Sequence, residues 1–292
     1  MTSPRTLIGS KSSTVKSHNL RAVLLMLRRH EHVSRVRLAQ LTGLSTTTIT
    51  NLISELLEQG IVVEEGIEKP AQRRGAGRPR TALRLVPEAR YAVGIHFGVG
   101  SIRIGIADLS AHLLECFFLN HPLEKSPTQV LAETAELAKE AIEASGVNPQ
   151  KVVGLGVGAS GLVDPDTGVN VVAPNLGWRD VPLQDWFSKR LGLPVCVNNN
   201  VRAMALGEAM FGVGRDVRAL AFVYARIGVG AGFVVDGQLY HGSAAGAGEI
   251  GHSTIIAEGG EPCRCGNTGC LETLVSEPAI VRLAGKLAKH DE

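Results

Sequence analysis

The stretch GAGEIGHSTIIAEGGEPCRCGNTGCLE, residues 246–272, decides how the chain is read, because it combines a candidate metal knot with a cluster of polar groups. It contains His252, Cys263, Cys265 and Cys270. A Cys₃His set matches a closed tetrahedral zinc site, in which thiolates and one imidazole fill every position and leave none for a reactive water. That pattern points to structural Zn2+ rather than to a catalytic metal. Free or disulfide-bonded thiols are the alternative, but Cys-x-Cys-Gly-x-x-Gly-Cys, with glycines for tight turns, suits metal wrapping better. Glu249 and Glu272 bracket the knot. Carboxylates pinned beside a rigid centre can accept hydrogen bonds from ligand hydroxyls, which makes a sugar the natural candidate; on glycine-rich loops, however, acidic residues are more commonly just solvated.

At GAGEIGH and CRCGNTGCLE the chain resembles the ROK family of sugar kinases and sugar-responsive repressors, and the likeness extends over nearly all of its length. The residues alone give a mixed α/β body. Alternating apolar positions mark strands at Tyr91–Gly98, Ser101–Asp108 and 112–119, followed by a helix over 128–144 and a strand over 152–157. The resemblance implies that this order builds an actin-like, ribonuclease-H-type domain of two lobes around a cleft. It also implies a sugar site. Asn175, in Ala173-Pro-Asn-Leu-Gly-Trp178, matches a family Asn that contacts sugar hydroxyls, and Asn199-Asn200 matches a strand-to-helix junction at the sugar. With Glu249, His252 and Glu272 these complete the expected sugar-binding set. His252 has two ring nitrogens, so one can ligate zinc while the other faces the ligand.

Three positions depart from the kinase pattern. Where the resemblance places an Asp that holds phosphate and magnesium, the chain has His96; where it places the Asp general base, the chain has Asn200. The hydroxyl-bearing Thr of a phosphate loop is replaced by Ile227 in Arg226-Ile-Gly-Val-Gly-Ala-Gly232. An amide can donate and accept hydrogen bonds but cannot serve as a carboxylate base near neutral pH. The expectation is a catalytically inactive sensor with no catalytic residues. The rival readings are an ATP-dependent sugar kinase with an added DNA-binding head, or a regulator whose input is a protein.

Upstream, apolar residues at Leu20, Val23, Leu24 and Leu27 mark a first amphipathic helix, and 34–41 reads as a second. Gly43 supplies the turn, and Ser45 is the expected N-cap of a third helix with Ile49, Leu52, Ile53, Leu56 and Leu57 as its buried stripe. Ser45, Thr46, Thr47, Thr50 and Asn51 then face outward as DNA-binding candidates. A strand beginning at Ile61 and another over 81–86 flank Gly75-Ala-Gly-Arg-Pro-Arg80, giving a winged helix-turn-helix with Arg73, Arg74, Arg78 and Arg80 in the wing. A solvated basic linker is the bland alternative. Charge favours the first reading: residues 1–85 carry 14 Lys+Arg against 6 Asp+Glu, and the remaining residues 16 against 22. A basic head on an acidic body suits a polyanionic partner.

The 292 residues are 44% hydrophobic, enough for ordinary buried cores. There is no run of eighteen apolar residues and no apolar signal core at the N-terminus, so the expected location is cytoplasmic, without membrane association. The five Cys suit a reducing compartment. The expected organisation is a flexible leader over 1–16, the winged helix-turn-helix over 17–86, a first lobe over 87–198, and a second lobe over 199–292 that holds the zinc knot. By resemblance, that second lobe lacks its C-terminal part. The expected partners are operator DNA, a sugar or sugar derivative, and a second copy of the chain.

Overall fold

The computed structural model describes residues 12–67, 80–243 and 246–288. They divide into two compact units, Met1–Arg90 with Asp108–His112, and Tyr91–Ala107 with Leu113–Glu292.

In the first unit three helices, α1 (Ser12–Arg29), α2 (Arg35–Thr42) and α3 (Thr46–Glu58), precede the hairpin β1 (Val62–Ile67) and β2 (Thr81–Leu85). Ser34 caps α2 by accepting from the Arg37 N–H, and Ser45 caps α3 by accepting from the Thr48 N–H. Between them Gly43 takes φ +70°, a left-handed geometry that reverses the chain in one step. Val23, Leu27, Leu38, Ile49, Leu52, Ile53 and Leu56 form one buried cluster with Val62 and Leu83 of the hairpin. Val33 and Leu83 exchange backbone hydrogen bonds, which ties the hairpin to the α1–α2 connection. α1 starts at Ser12, inside the stretch read as a flexible leader. No apolar stripe announces those turns, because they sit on the surface: Val15 is exposed, and Lys16 reaches Glu55 of α3 at 2.8 Å.

The second unit is built on a sheet ordered β10-β6-β3-β4-β5, with β3 at Tyr91–Gly98, β4 at Ser101–Asp108, β5 at Leu113–Asn120, β6 at Val152–Ala159 and β10 at Val195–Asn199. β3 and β10 flank β6 in parallel, whereas β5 runs antiparallel to β4. Ile102, Ile104 and Ile106 of β4 are fully buried in a core shared with α4 (Pro127–Ala144), whose start is fixed by a capping box between Ser126 and Gln129.

A small sheet that the sequence pattern does not announce joins β7 (Leu162–Asp164), β8 (Val169–Ala173) and β9 (Trp178–Pro182). It is anchored by Trp178, which meets the Phe97 ring edge-on at 5.4 Å, and Phe97 in turn packs on Phe187 of α5 (Leu183–Leu191). After α6 (Asn200–Phe211) comes a third sheet, ordered β11 (Ala219–Ala225), β12 (Val229–Val235) and β13 (Gln238–Leu239). α7 (Glu272–Val275) and α8 (Glu277–Ala288) follow the cysteine loop. Among the described residues no helix is long and apolar enough to cross a membrane.

Candidate functional site

On the first unit, Ser45, Thr46, Thr47, Thr50 and Asn51 are all exposed, while Ile49, Leu52 and Ile53 of the same helix are buried. The helix that follows the Gly43 turn therefore presents a continuous face of small hydrogen-bonding groups. Part of that face is committed: Ser45 Oγ meets Thr48 Oγ1 at 2.9 Å, and Thr50 Oγ1 donates to the Thr46 carbonyl at 2.8 Å. Of the expected wing arginines, Arg80 is exposed just before β2, whereas Arg73, Arg74 and Arg78 lie outside the described residues.

The second unit holds a cavity of about 120 Å³ at the carboxyl ends of its parallel strands. Register places His96, Gly158 and Asn198 at one level across β3, β6 and β10, so the residues just beyond them converge, the arrangement by which open parallel sheets present ligand sites. The cavity is lined by Asn175, Asn199, Asn200, Glu249, His252 and Glu272, every residue of the expected sugar set. Lining residues that sequence reasoning passed over include Ser160, Tyr224 and Arg264.

The individual groups are differently engaged. Glu272 accepts the Val229 N–H at 2.9 Å through one oxygen, and the position of Gly228 is so close that a Cβ there would lie 3.3 Å from that oxygen and 3.6 Å from Asn175 Nδ2. Asn175 sits in the turn between β8 and β9 and accepts at 2.6 Å from Nη1 of Arg264, which belongs to the cysteine loop; both residues line the cavity. Asn200 donates to Ser160 Oγ at 3.2 Å and accepts the Val201 N–H at 2.8 Å.

Asn199 has a structural task besides its place in the cavity lining. Its Oδ1 caps α6 by accepting from the Val201 and Arg202 N–H groups, and its Nδ2 donates to the Gly161 carbonyl at 2.8 Å. The oxygen and one amide hydrogen are thus spent on holding the strand-to-helix junction, which leaves the second Nδ2 hydrogen as the group that could meet a ligand. His96 has both ring nitrogens buried and without partners among the described residues, and burial, with Arg103 nearby, holds its pKa below the ordinary histidine value.

Glu249 is positioned by glycines pressed against β12. A Cβ on Gly248 (φ +97°) would lie 1.9 Å from the Ala231 carbonyl oxygen, and one on Gly251 would lie 2.2 Å from that of Val229. Only glycine lets this loop approach so closely, and the Ala231 N–H donates to the Gly248 carbonyl at 2.7 Å as a result. Beneath the loop, the almost fully buried Arg202 donates from Nε and Nη2 to the Ala247 carbonyl and interacts electrostatically with Glu249.

His252, Cys263, Cys265 and Cys270 bring their ligand atoms within 4.8 Å of one another. Cys263 Sγ lies 3.6 Å from His252 Nδ1, and Cys265 Sγ lies 3.8 Å from Cys270 Sγ. A tetrahedral ion with metal–sulfur bonds near 2.3 Å and metal–nitrogen bonds near 2.0 Å requires separations of about 3.5–3.8 Å, so the donor set fits a metal. Burial first, then the neighbouring thiols, pushes the Cys270 thiol up to about 12, a penalty that a bound cation reverses. With Nδ1 on the sulfur side, His252 still lines the cavity, as does Cys265, so knot and cavity share two residues.

These features define a winged helix-turn-helix joined to an α/β domain of the sugar-kinase type. Profiles of known families match accordingly: "winged helix-turn-helix DNA-binding" over residues 16–63 and "ROK family" over residues 92–292. The chain belongs to the ROK family. It is similar to the xylose repressor of Caldicellulosiruptor bescii, at 32% identity over 94% of this chain and 68% of the relative. Among solved structures, a ROK family transcriptional regulator described as a homolog of the E. coli MLC protein superposes with TM-score 0.81 and 28% identity, over 95% of this chain and 69% of that one. A Streptomyces griseus ROK glucokinase, in complex with glucose and AMPPNP, superposes with TM-score 0.62 and 31% identity, over 68% and 62% of the respective chains. The family thus includes both repressors and kinases, and the chain spans about two thirds of the length of the repressors it resembles.

Proposed function

We propose that this chain is a sugar-responsive transcriptional repressor of carbohydrate uptake or catabolic genes, acting in the cytoplasm as a homodimer. The observation that carries the reading is the coexistence, in one chain, of an exposed polar helix after a tight turn and a cavity whose polar lining suits hydroxyls. In this reading α3 enters the major groove, with Thr46, Thr47 and Asn51 towards base edges and Ser45, Thr50 and Arg80 towards the backbone. Two copies related by a two-fold axis would read half-sites about 34 Å apart.

The sugar is held by Asn175, Asn200, Glu249, His252 and Glu272: carboxylates accept from hydroxyls, and the Asn175 amide and the His252 ring add directional bonds. The cavity binds without transferring phosphate. Asn200 stands where family kinases place their base, and its oxygen already accepts a backbone N–H. Zn2+ is the metal assigned to the Cys₃His set, where it would fix the loop that carries Arg264 and orient His252. Sugar changes DNA affinity only if it binds two arrangements of the protein unequally, and a ligand that bridges Asn175 and Asn200 on one wall to Glu249 and Glu272 on the other favours the closed one.

Glu249→Ala tests the assignment. The expected outcome is lost sugar response with operator binding retained, measured by fluorescence anisotropy on the chain's own upstream DNA. Equal loss of both would make Glu249 a support of the fold. A coupled assay of ADP release, in wild type and Asn200→Asp, tests the absence of phosphoryl transfer; turnover by the wild type with any common hexose would overturn it.

A further inference from the structure

Beside the sugar cavity lies a second, lined by Leu162, Val172, Trp178, Arg179, Glu249 and Arg264 among others. Glu249, His252, Arg264 and Cys265 line both, so the two compartments are continuous. The charges on this second wall do not balance locally. Arg179, exposed on β9, makes no side-chain hydrogen bond or ion pair among the described residues. Among the described residues Arg264 bonds only the neutral Asn175 amide. The one carboxylate present, Glu249, already faces the buried Arg202 guanidinium. Two arginines therefore line one compartment without an anion among the described residues to answer them, and a planar fork of donors is the group best matched to phosphate or carboxylate oxygens.

We propose that the effector is a sugar bearing an anionic group, phosphate or carboxylate, whose ring occupies the first cavity and whose anion is held by Arg179 and Arg264 in the second. This rests on the sugar-responsive reading and deepens it. Arg264 has two roles: without ligand its Nη1 occupies Asn175 Oδ1, and an anion that draws it away frees that amide for a sugar hydroxyl. Its placement depends on the knot, because Arg264 lies between Cys263 and Cys265 and the ligand set fixes the backbone on both sides. The charge on the effector thus completes the sugar site, and a neutral sugar must compete with Arg264 for Asn175.

The test is isothermal titration of the metal-loaded full chain, at fixed ionic strength, with matched pairs: glucose with glucose 6-phosphate and with glucuronate, and N-acetylglucosamine with its 6-phosphate. At least one charged member is expected to bind about tenfold or more tighter than its neutral parent, the worth of one charge-assisted hydrogen bond. The phosphate and carboxylate arms identify which anion. In Arg179→Gln, and in Arg264→Gln, the charged-to-neutral affinity ratio is expected to fall towards one, whereas Lys189→Gln on exposed α5 keeps it. Inorganic phosphate alone is expected to compete with the charged sugar but not with its parent. Equal affinities within every pair, with the neutral sugars bound, would overturn the anion subsite and leave the sugar reading standing. A ratio that survives Arg179→Gln would overturn it too. If no sugar in either form binds, the sugar-responsive reading fails and the subsite with it.

Discussion

Asn199→Ala separates a junction residue from a ligand contact. The side chain caps α6 through two backbone N–H groups and donates to the Gly161 carbonyl at 2.8 Å. Losing an N-cap costs typically about 1 kcal/mol, and leaving the half-buried Gly161 carbonyl without its donor costs on the order of another 1 kcal/mol. For a unit of this size each kcal/mol lowers the melting temperature by roughly 2–4 °C, so the variant is expected to melt about 4–8 °C below wild type. Asn199→Asp keeps the acceptor that caps the helix and adds a negative charge at its N-terminus, losing only the donor to Gly161, so it should recover about half of that difference. The assay is thermal unfolding followed by circular dichroism, paired with titration of the effector at 25 °C. The reasoning predicts a lowered melting temperature with effector affinity within about threefold of wild type. An unchanged melting temperature with effector binding lost would show that Asn199 contacts the ligand and that its two bonds within the protein contribute little.

Other perturbations address other parts of the chain. Thr47→Ala and Asn51→Ala should each weaken specific operator binding by about 1–3 kcal/mol while leaving non-specific binding intact; Arg80→Gln should weaken both alike and reduce the salt slope by about one, all read by anisotropy at several salt concentrations. Cys265→Ala should abolish both metal content, measured by atomic emission, and regulated DNA binding, since it removes a ligand and frees the loop that carries Arg264. A metal-free variant with a normal effector response would refute that coupling. His96 has a folded-state pKa lowered by burial, so the unfolded chain takes up its proton first as pH falls. Its penalty is absent above the unfolded value of about 6.5 and grows as pH drops from there to the folded value; chemical denaturation of His96→Gln should show a shallower loss of stability over that window than wild type.

Much of this architecture was legible because local chemistry and global fold agree. Ser34, Gly43 and Ser45 punctuate the helices of the head as their capping and turn chemistry dictates, and the apolar stripe of α3 alone separates its buried face from Thr46, Thr47, Thr50 and Asn51. The Cys₃His spacing announced a cluster that the structure closes to within bonding range of one ion. Sequence failed where a role depends on what a side chain meets across space. Asn199 reads from sequence only as a neighbour of Asn200 at the sugar, and its task of capping α6 and holding the Gly161 carbonyl appears only in three dimensions. Arg264 was hidden inside the metal motif as the spacer between two ligands, and only the approach of Asn175, 89 residues away in sequence, reveals its place in the cavity. The β7–β8–β9 sheet escaped notice because its strands are three to five residues long, too short for an alternating pattern to register.

The central claim, that ligand in the cavity of the second unit governs DNA binding by the first, is tested most directly by anisotropy of the metal-loaded chain on its own upstream DNA, titrated with hexoses, pentoses, amino sugars and their anionic derivatives at fixed salt. The account predicts that one of them shifts the binding curve in the wild type and that Glu249→Ala abolishes the shift while still binding the DNA. Operator binding that no member of the panel moves would contradict it.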